Sequence, residues 1–272
     1  MNMKRDCLAA AVALACGLAA PAAQAQLRVA APPVFEGALG ALVTYGAEYP
    51  GAEKSGAGLK PAFYLRYRRV SISNASGFVT RRFEDSFPGL GVDLVQDERL
   101  HLKLTLRYDR GRSDTGSAAL AGMGSIDKTV RTRLSGSWTL ADDFRVGASW
   151  SVDLLGKGGG NLVDFGIARD HHLSPVTVWS LGGSVTLGGD RYMQSYFGVN
   201  AAQSARTGYA VYAPGGGVRD LTLSTSLRTE FGDHWSAVVG GGVTRLVGPA
   251  ADSPLTRRAT NWGLHTGVAR RF

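Results

Sequence analysis

From residue 37 onward the chain repeatedly alternates apolar with polar residues, the period of a β-strand whose successive side chains leave on opposite faces. Leu100-His101-Leu102-Lys103-Leu104-Thr105-Leu106-Arg107-Tyr108-Asp109 is the clearest case. Phe144 to Leu154 repeats it, as does the run in which Val130, Thr132, Leu134, Gly136, Trp138 and Leu140 oppose Arg131, Arg133, Ser135, Ser137 and Thr139. Leu221, Leu223, Thr225 and Leu227 against Thr222, Ser224, Ser226 and Arg228 give a fourth example. The pattern predicts twelve strands, near 37–47, 60–69, 71–81, 87–95, 99–109, 126–140, 143–155, 161–171, 176–188, 216–230, 234–246 and 260–272.

Alternation alone fits either a soluble sandwich or a membrane barrel, and three features decide between them. Sandwich strands average about 5–6 residues, whereas tilted membrane strands need about 9–11, the length seen here. Lys and Arg sit deep within the polar face, which suits a wet lumen and would be costly in a dry sandwich core. Tight turns at 96–98, 141–143, 172–175 and 232–234 alternate with long connections at 48–59, 82–86, 110–125, 156–160, 189–215 and 247–259. An even strand count puts all the long connections on one side, so the predicted fold is an antiparallel transmembrane β-barrel with short periplasmic turns and longer extracellular loops. Residues 189–215, with Tyr192, Tyr196, Phe197 and Tyr209, either fold inward or extend the wall. Trp138, Trp150, Trp179, Trp235, Trp262 and Tyr67 fall on the apolar face, several near strand ends, as the girdles of an outer-membrane barrel do.

The first residues read as an export signal. Lys4 and Arg5 precede an apolar stretch, Leu8 to Leu18, too short to span a bilayer as a helix. Ala23-Gln24-Ala25 forms an A-x-A site, with cleavage after Ala25 and Gln26 as the first mature residue. A lipoprotein site at Leu14-Ala15-Cys16-Gly17, with Cys16 lipidated, is the competing reading, although Ala13 stands where a leucine is usual. The organisation expected is therefore a signal at 1–25, a flexible lead-in at 26–36 containing Pro32 and Pro33, and a barrel at 37–272. Both cysteines, Cys7 and Cys16, lie in the signal, which excludes a disulfide or thiolate metal site in the mature chain. The whole chain carries a formal net charge of +8. In an exported protein that surplus points to lipopolysaccharide, peptidoglycan or an acidic partner and not to nucleic acid.

Several blocks together resemble the MipA/OmpV family of outer-membrane proteins. They are Tyr49-Pro50-Gly51-Ala52-Glu53, Lys60-Pro61, Arg107-Tyr108-Asp109-Arg110-Gly111-Arg112, Leu120 to Ile126, Tyr192 to Val199, Asp252-Ser253-Pro254-Leu255 and Gly267 to Phe272. The resemblance implies a barrel in the outer membrane of a Gram-negative bacterium, named for interaction with a membrane-bound lytic transglycosylase. It implies further a scaffold joining that enzyme to a peptidoglycan synthase. Phe272, ending an alternating strand, resembles the terminus that the barrel-assembly machinery recognises.

Candidate chemistry concentrates on the polar face. Arg66, Arg68, Lys103, Arg107, Arg131, Arg133, Arg145 and Arg228 are predicted to point inward, with Asp93, Asp153, Asp164 and Glu230 among them. Such a set either stiffens the lumen through Arg–carboxylate pairs or lines an anion-preferring pore. Catalysis has less support. His101, His171, His172, His234 and His265 lack an evident nucleophile and orienting acid, and adjacent His171 and His172 would face opposite ways on a strand. Loop acids Glu84, Asp85, Asp114 and Asp127 read as solvated, and Gly158-Gly159-Gly160 as a loop tip without the Lys-Ser/Thr of a phosphate loop. The chain is thus expected to be a non-enzymatic scaffold needing no cofactor, with a small-solute or anion channel as the alternative. A periplasmic partner would have to use the short turns or the lead-in.

Overall fold

A computed structural model describes residues 34–74, 88–141 and 143–272. The expected signal with its Ala25/Gln26 junction and Cys16, the lead-in through Pro33, the loop 82–86 and Asp142 lie outside the described residues.

Twelve antiparallel strands close into one barrel. They are β1 Phe35–Ala47, β2 Ser55–Tyr67, β3 Val70–Ser73, β4 Gly89–Gln96, β5 Leu100–Asp109 and β6 Thr129–Ala141. The second half comprises β7 Phe144–Asp153, β8 Asn161–Ser174, β9 Thr177–Gly188, β10 Gly217–Phe231, β11 Trp235–Leu246 and β12 Thr260–Arg271. Each strand pairs with its sequence neighbours, and β1 closes on β12 from Ala38↔Arg271 to Tyr45↔Leu264. Closure removes both sheet edges, whose unpaired amides could find no partner in hydrocarbon. At the seam Gly40 lies against Val268 and Ala269 so closely that an added Cβ would collide with their backbone, and only glycine lets the first strand seat there.

The predicted strands correspond one for one to those observed, with shifted ends. β2 begins at Ser55 instead of 60, because Lys60 and Pro61 pair within it against Leu42 and Ala41. The first loop is shorter by the same amount. β6 starts at Thr129, not 126, since Ile126 is held in a separate bridge to Arg112. β8 runs on to Ser174, narrowing the predicted 172–175 turn. Of the predicted 71–81 strand, the described part ends at Ser73.

Burial runs opposite to that of a soluble protein. On β5 His101, Lys103 and Thr105 are buried, whereas Leu104, Leu106 and Tyr108 are exposed. Leu223 on β10 is 71% exposed, while Arg66 on β2 is 1% exposed. An outer skin of large apolar residues around a polar interior is the arrangement expected where lipid replaces water as the outer solvent. All five tryptophans and Tyr67 are on this exposed face. Tyr67, Trp138, Trp179 and Trp235 lie toward the turn end of their strands, and Trp150 and Trp262 toward the loop end. The two groups make the paired girdles that mark membrane interfaces. The interior also holds one apolar cluster, Ala38, Ala62, Tyr64, Val238 and Ala269, inside the β1–β12 seam.

The loop end is built differently from the turn end. The connection between β9 and β10 folds into helices α1 (Asp190–Phe197) and α2 (Ala201–Thr207), and the one between β11 and β12 contains α3 (Gly248–Ala251). Tyr192, Met193 and Phe197 of α1 pack with Leu246 and Ala250, while Met123, Val199 and Leu255 form a second cluster. Asn200 and Gln203 make a reciprocal capping box at the start of α2, each side chain bonding the other's backbone N–H at 2.8 Å. The loops are laced together by hydrogen bonds from Gln203 to Met123 O at 2.7 Å, Tyr209 to Ala119 O at 2.9 Å and Ser253 to Phe197 O at 2.6 Å. The described connections β5–β6, β9–β10 and β11–β12 therefore form a packed cap.

Two outcomes follow from this inside-out wall. Unboiled protein from the outer-membrane fraction should migrate faster on a detergent gel than boiled protein. Placing a charge on the lipid face, Leu223→Arg, should cost about 2–4 kcal/mol in urea titrations of the barrel folded into phospholipid vesicles. Ser224→Arg, one residue away but facing the lumen, should cost under about 1 kcal/mol.

Candidate functional site: a braced and roofed lumen

Seven of the eight predicted inward cations are on lumen-facing positions. Arg68 is not: β2 ends at Tyr67, and Arg68 occupies the following turn with a positive φ of 53°, exposed, its guanidinium 5.4 Å from the Tyr67 ring centroid. Its carbonyl still serves the lumen by accepting from Arg66 Nε at 2.9 Å. Lys60, read from sequence only as the opening of β2, stands directly opposite lumenal Leu42 and joins the inward set.

Toward the turn end, Asp93 on β4 organises the first cluster. Arg66 Nη2 donates to its Oδ2 at 2.5 Å and to Gln96 Oε1 at 2.7 Å. His101 Nε2 is 2.9 Å from Asp93 Oδ1, and Lys103 Nζ lies 4.0 Å from the same oxygen. The carboxylate only accepts, so the imidazole nitrogen is the donor. Further around the wall, Arg133 pairs with Asp164 and donates to Ser149 Oγ, and Arg145 donates to Asp170 at 2.9 Å. Arg271 reaches Glu230 at 2.8 Å. Arg228 is half-buried on the same face of β10. Each of these pairs joins different strands, so the lumen is cross-braced by charge-assisted hydrogen bonds.

At the loop end the cluster centres on α1. Arg131 donates to Asp109 at 2.7 Å and to Gly159 O, and stands 5.8 Å from the Tyr192 ring centroid. Arg219 approaches the same ring at 5.5 Å, donates to the Tyr192 hydroxyl at 2.9 Å and pairs with Asp220. Tyr192 and Tyr196 stack with centroids 4.4 Å apart. Arg112 Nη1 holds the Tyr196 carbonyl at 3.0 Å. Gly160, at φ +54°, passes so close to the Tyr192 backbone that a side chain there would strike it. Residues 189–215 thus fold inward, and α1 roofs the lumen. Burial, with Asp109 nearby, pushes the Tyr196 hydroxyl up to about 12, so it stays a hydrogen-bond donor at neutral pH.

The lumen wall is uneven. Strands β2 to β8 carry most of the charges described, and β10 and β12 carry theirs near the strand ends (Arg219, Asp220, Arg228, Glu230 and Arg271), whereas at mid-height β10, β11, β12 and β1 present Ser224, Ser226, Gly240, Gly242, His265 and Thr44. A cavity of about 360 Å³ borders this smooth wall, and one of about 350 Å³ lies under α1 on the charged side.

Sequence reading missed Asp109, Asp170 and the Arg219–Asp220 pair as lumenal groups. The first two continue the alternation of β5 and β8 and were legible by parity. Arg219 was not, because a bulge between Val218 and Asp220 resets the faces of β10. His171 stacks on Trp179 at 5.4 Å on the outer face, and His172 lies 3.4 Å from Asp143 in the turn region. Asp114 accepts from Ser125 at 2.9 Å within its own loop. Glu84 and Asp85 lie outside the described residues.

Asp93 should be the least replaceable member of the turn-end cluster. Its side chain is fully buried, so Asp93→Ala removes the carboxylate that Arg66, His101 and Lys103 share and leaves a void among charged groups. A loss of about 3–5 kcal/mol in vesicle refolding titrations is expected, against about 1 kcal/mol or less for Arg145→Ala at its more open pair.

Comparison with known proteins identifies the family. The family described as MltA-interacting protein MipA matches residues 39–272. YiaT of Escherichia coli, from strain K12 and from O157:H7, is provisionally named an outer membrane protein. It is 25% identical over 188 residues, covering 67% of this chain and 74% of its own. Among solved structures, an outer membrane channel from Pseudomonas putida F1 aligns over 89% of this chain and 97% of its own, with 12% identity and a TM-score of 0.46. OmpT of Vibrio cholerae aligns over 88% and 97%, with 10% identity and a TM-score of 0.41. The chain belongs to the MipA family of outer-membrane β-barrels.

Proposed function

We propose that this barrel is a non-catalytic scaffold of the outer membrane that holds a murein-processing partner, a lytic transglycosylase with its associated synthase, against the inner leaflet side. The observation that carries the reading is the braced and roofed interior. Arg66, Arg131, Arg133 and Arg145 each hold a carboxylate on another strand, and α1 lies across the loop end. A wall braced this way is a rigid mount. The family's description as a protein that interacts with MltA supplies the partner class. In the outer-membrane orientation the β4–β5, β8–β9 and β10–β11 turns face the periplasm, and Asp97, Glu98, Pro175, Asp233 and His234 are exposed there. Catalysis has little support at the pair that most resembles a base and its orienting acid. Asp93 beside His101 also holds Arg66 and approaches Lys103, so its geometry serves bracing. The export signal with cleavage after Ala25 and assembly through Phe272 belong to the same proposal.

A second reading, an anion-preferring channel for small solutes, is favoured by one specific observation. Cations are densest on β2 to β8, while at mid-height the opposite wall presents Ser224, Ser226, Gly240, Gly242 and Thr44 beside His265, leaving a smooth track beside a positive face.

The two readings separate experimentally. Replacing the exposed residues of the turns 97–99, 174–176 and 232–234 with Gly-Ser segments should abolish capture of the transglycosylase while the heat-dependent gel shift persists. Unchanged capture would remove the scaffold assignment. Steady single-channel currents in planar bilayers, with a reversal potential displaced toward the anion, would favour the channel; silent bilayers would remove it.

A further inference from the structure

Among the arginines under the roof, the commitments are unequal. Arg131 holds Asp109 and Gly159 O, Arg133 holds Asp164 and Ser149, and Arg219 holds Asp220 and the Tyr192 hydroxyl. Asp153, the remaining nearby acid, is occupied by Thr129 and by the N–H groups of Gly159 and Leu155. Arg107 differs. Its carboxylate contact among the described residues is a 3.6 Å approach to Asp109 Oδ2, an oxygen that Arg131 already holds at 2.7 Å. The strand register also sets Arg107 directly opposite Arg131, a like-charge pair that has one carboxylate, Asp109, to share between its two members, with Arg131 holding it closer. The side chain of Arg107 is 42% exposed, although its strand face points into the lumen. It borders the cavity of about 350 Å³ beneath α1, within the range of small-molecule pockets, about 300–1,000 Å³.

The other groups in this chamber restrict what could bind. Tyr196 lines it, and its hydroxyl has no hydrogen-bond partner among the described residues. Thr105 and Ser151 also border it. Asp109 and Asp164 line the same space and still have acceptor capacity. One open guanidinium and one open phenol suit a single carboxylate. The two acids would repel a second negative charge but accept hydrogen bonds from hydroxyls. A dianion is therefore disfavoured, and a neutral sugar or polyol would leave Arg107 unanswered.

We propose that the chamber beneath α1 is a binding site for a small polyhydroxylated monocarboxylate, with Arg107 and Tyr196 gripping the carboxylate and Asp109 and Asp164 receiving hydroxyl groups. The site stands whether or not the lumen conducts, since it requires a closed folded barrel and no current. Roofing by α1 fits retention of a ligand better than free passage, because Tyr192 and Tyr196 cover the chamber from the loop side.

The test is calorimetric titration of the folded, detergent-solubilised barrel with sodium gluconate, with sorbitol as its uncharged counterpart and with inorganic phosphate. Gluconate should bind at least tenfold more tightly than sorbitol and more tightly than phosphate. Arg107→Gln should weaken gluconate by about 10- to 100-fold, the range of a charge-assisted hydrogen bond. Tyr196→Phe should weaken it several-fold, and the gel shift on heating confirms that each variant is folded. Equal affinity for gluconate and sorbitol, undiminished affinity in Arg107→Gln, or tighter binding of phosphate would overturn the assignment. Absence of gluconate binding in a barrel that carries anion current in bilayers would overturn this site and leave the channel reading standing.

Discussion

Inside a bilayer no water is available to satisfy a peptide group, and an unpaired N–H or C=O costs several kcal/mol. Every other feature of this molecule is downstream of that constraint. It forces the twelve strands to close, with β1 bonded to β12, and so forces an inside and an outside. Once the wall exists, the two faces of each strand meet different solvents. Leu104, Leu106 and Leu223 go to lipid, while Lys103, Thr105 and Arg131 go to the lumen. The charges then need partners in a confined space, and they find them across strands: Arg66 with Asp93, Arg133 with Asp164, Arg145 with Asp170. Bracing is thus a consequence of closure, and the same closure creates the chamber that one arginine is left to face.

The molecule has two kinds of packed interior. The transmembrane part holds its lumen with ion pairs and needs little apolar core beyond the cluster around Tyr64 and Val238. The cap does the reverse. Met193, Phe197, Met123 and Leu255 bury apolar area in the way a small soluble domain would, and tyrosine hydroxyls tie the loops to one another's carbonyls. Arg131, Arg219 and Arg112 join the two regimes, because each reaches from wall or loop to Tyr192 or Tyr196 on α1.

Much of the wall was legible in the sequence, because a strand with lipid on one side and water on the other has little freedom in its alternation. Leu100 to Asp109 could be assigned face by face from the residues alone, and its burial follows that parity. The legible part stopped where period two stopped. Tyr192, Met193, Tyr196 and Phe197 have helical spacing, and Asn200 with Gln203 is a capping pair, so a signal for α1 and α2 existed. A reading tuned to alternation passed over it. Arg68 was placed inside by extending β2 two residues too far, and Lys60 was passed over by starting it too late. The Arg219 error is of another kind. A bulge changes parity without any mark in composition, so no local rule would have found that arginine facing Tyr192. The uncommitted state of Arg107 was equally invisible, since it depends on which of several acids each neighbour takes.

The seam between β1 and β12 also governs how the barrel comes into being. Every other pairing joins consecutive strands and can zip locally as the chain proceeds, but Ala38 meets Arg271 across more than two hundred residues. Loop-closure entropy therefore places that contact last, after the remaining hairpins have formed. Until then β1 and β12 are open edges, with amides ready to recruit a strand from any neighbouring chain. The slow step and the vulnerable step are consequently the same event, and the small residues Ala38, Gly40 and Ala269 sit where it happens. At those positions the two backbones can close with little side chain to move out of the way, whereas the large outward side chains of the seam, such as Leu39 and Val268, can settle against lipid.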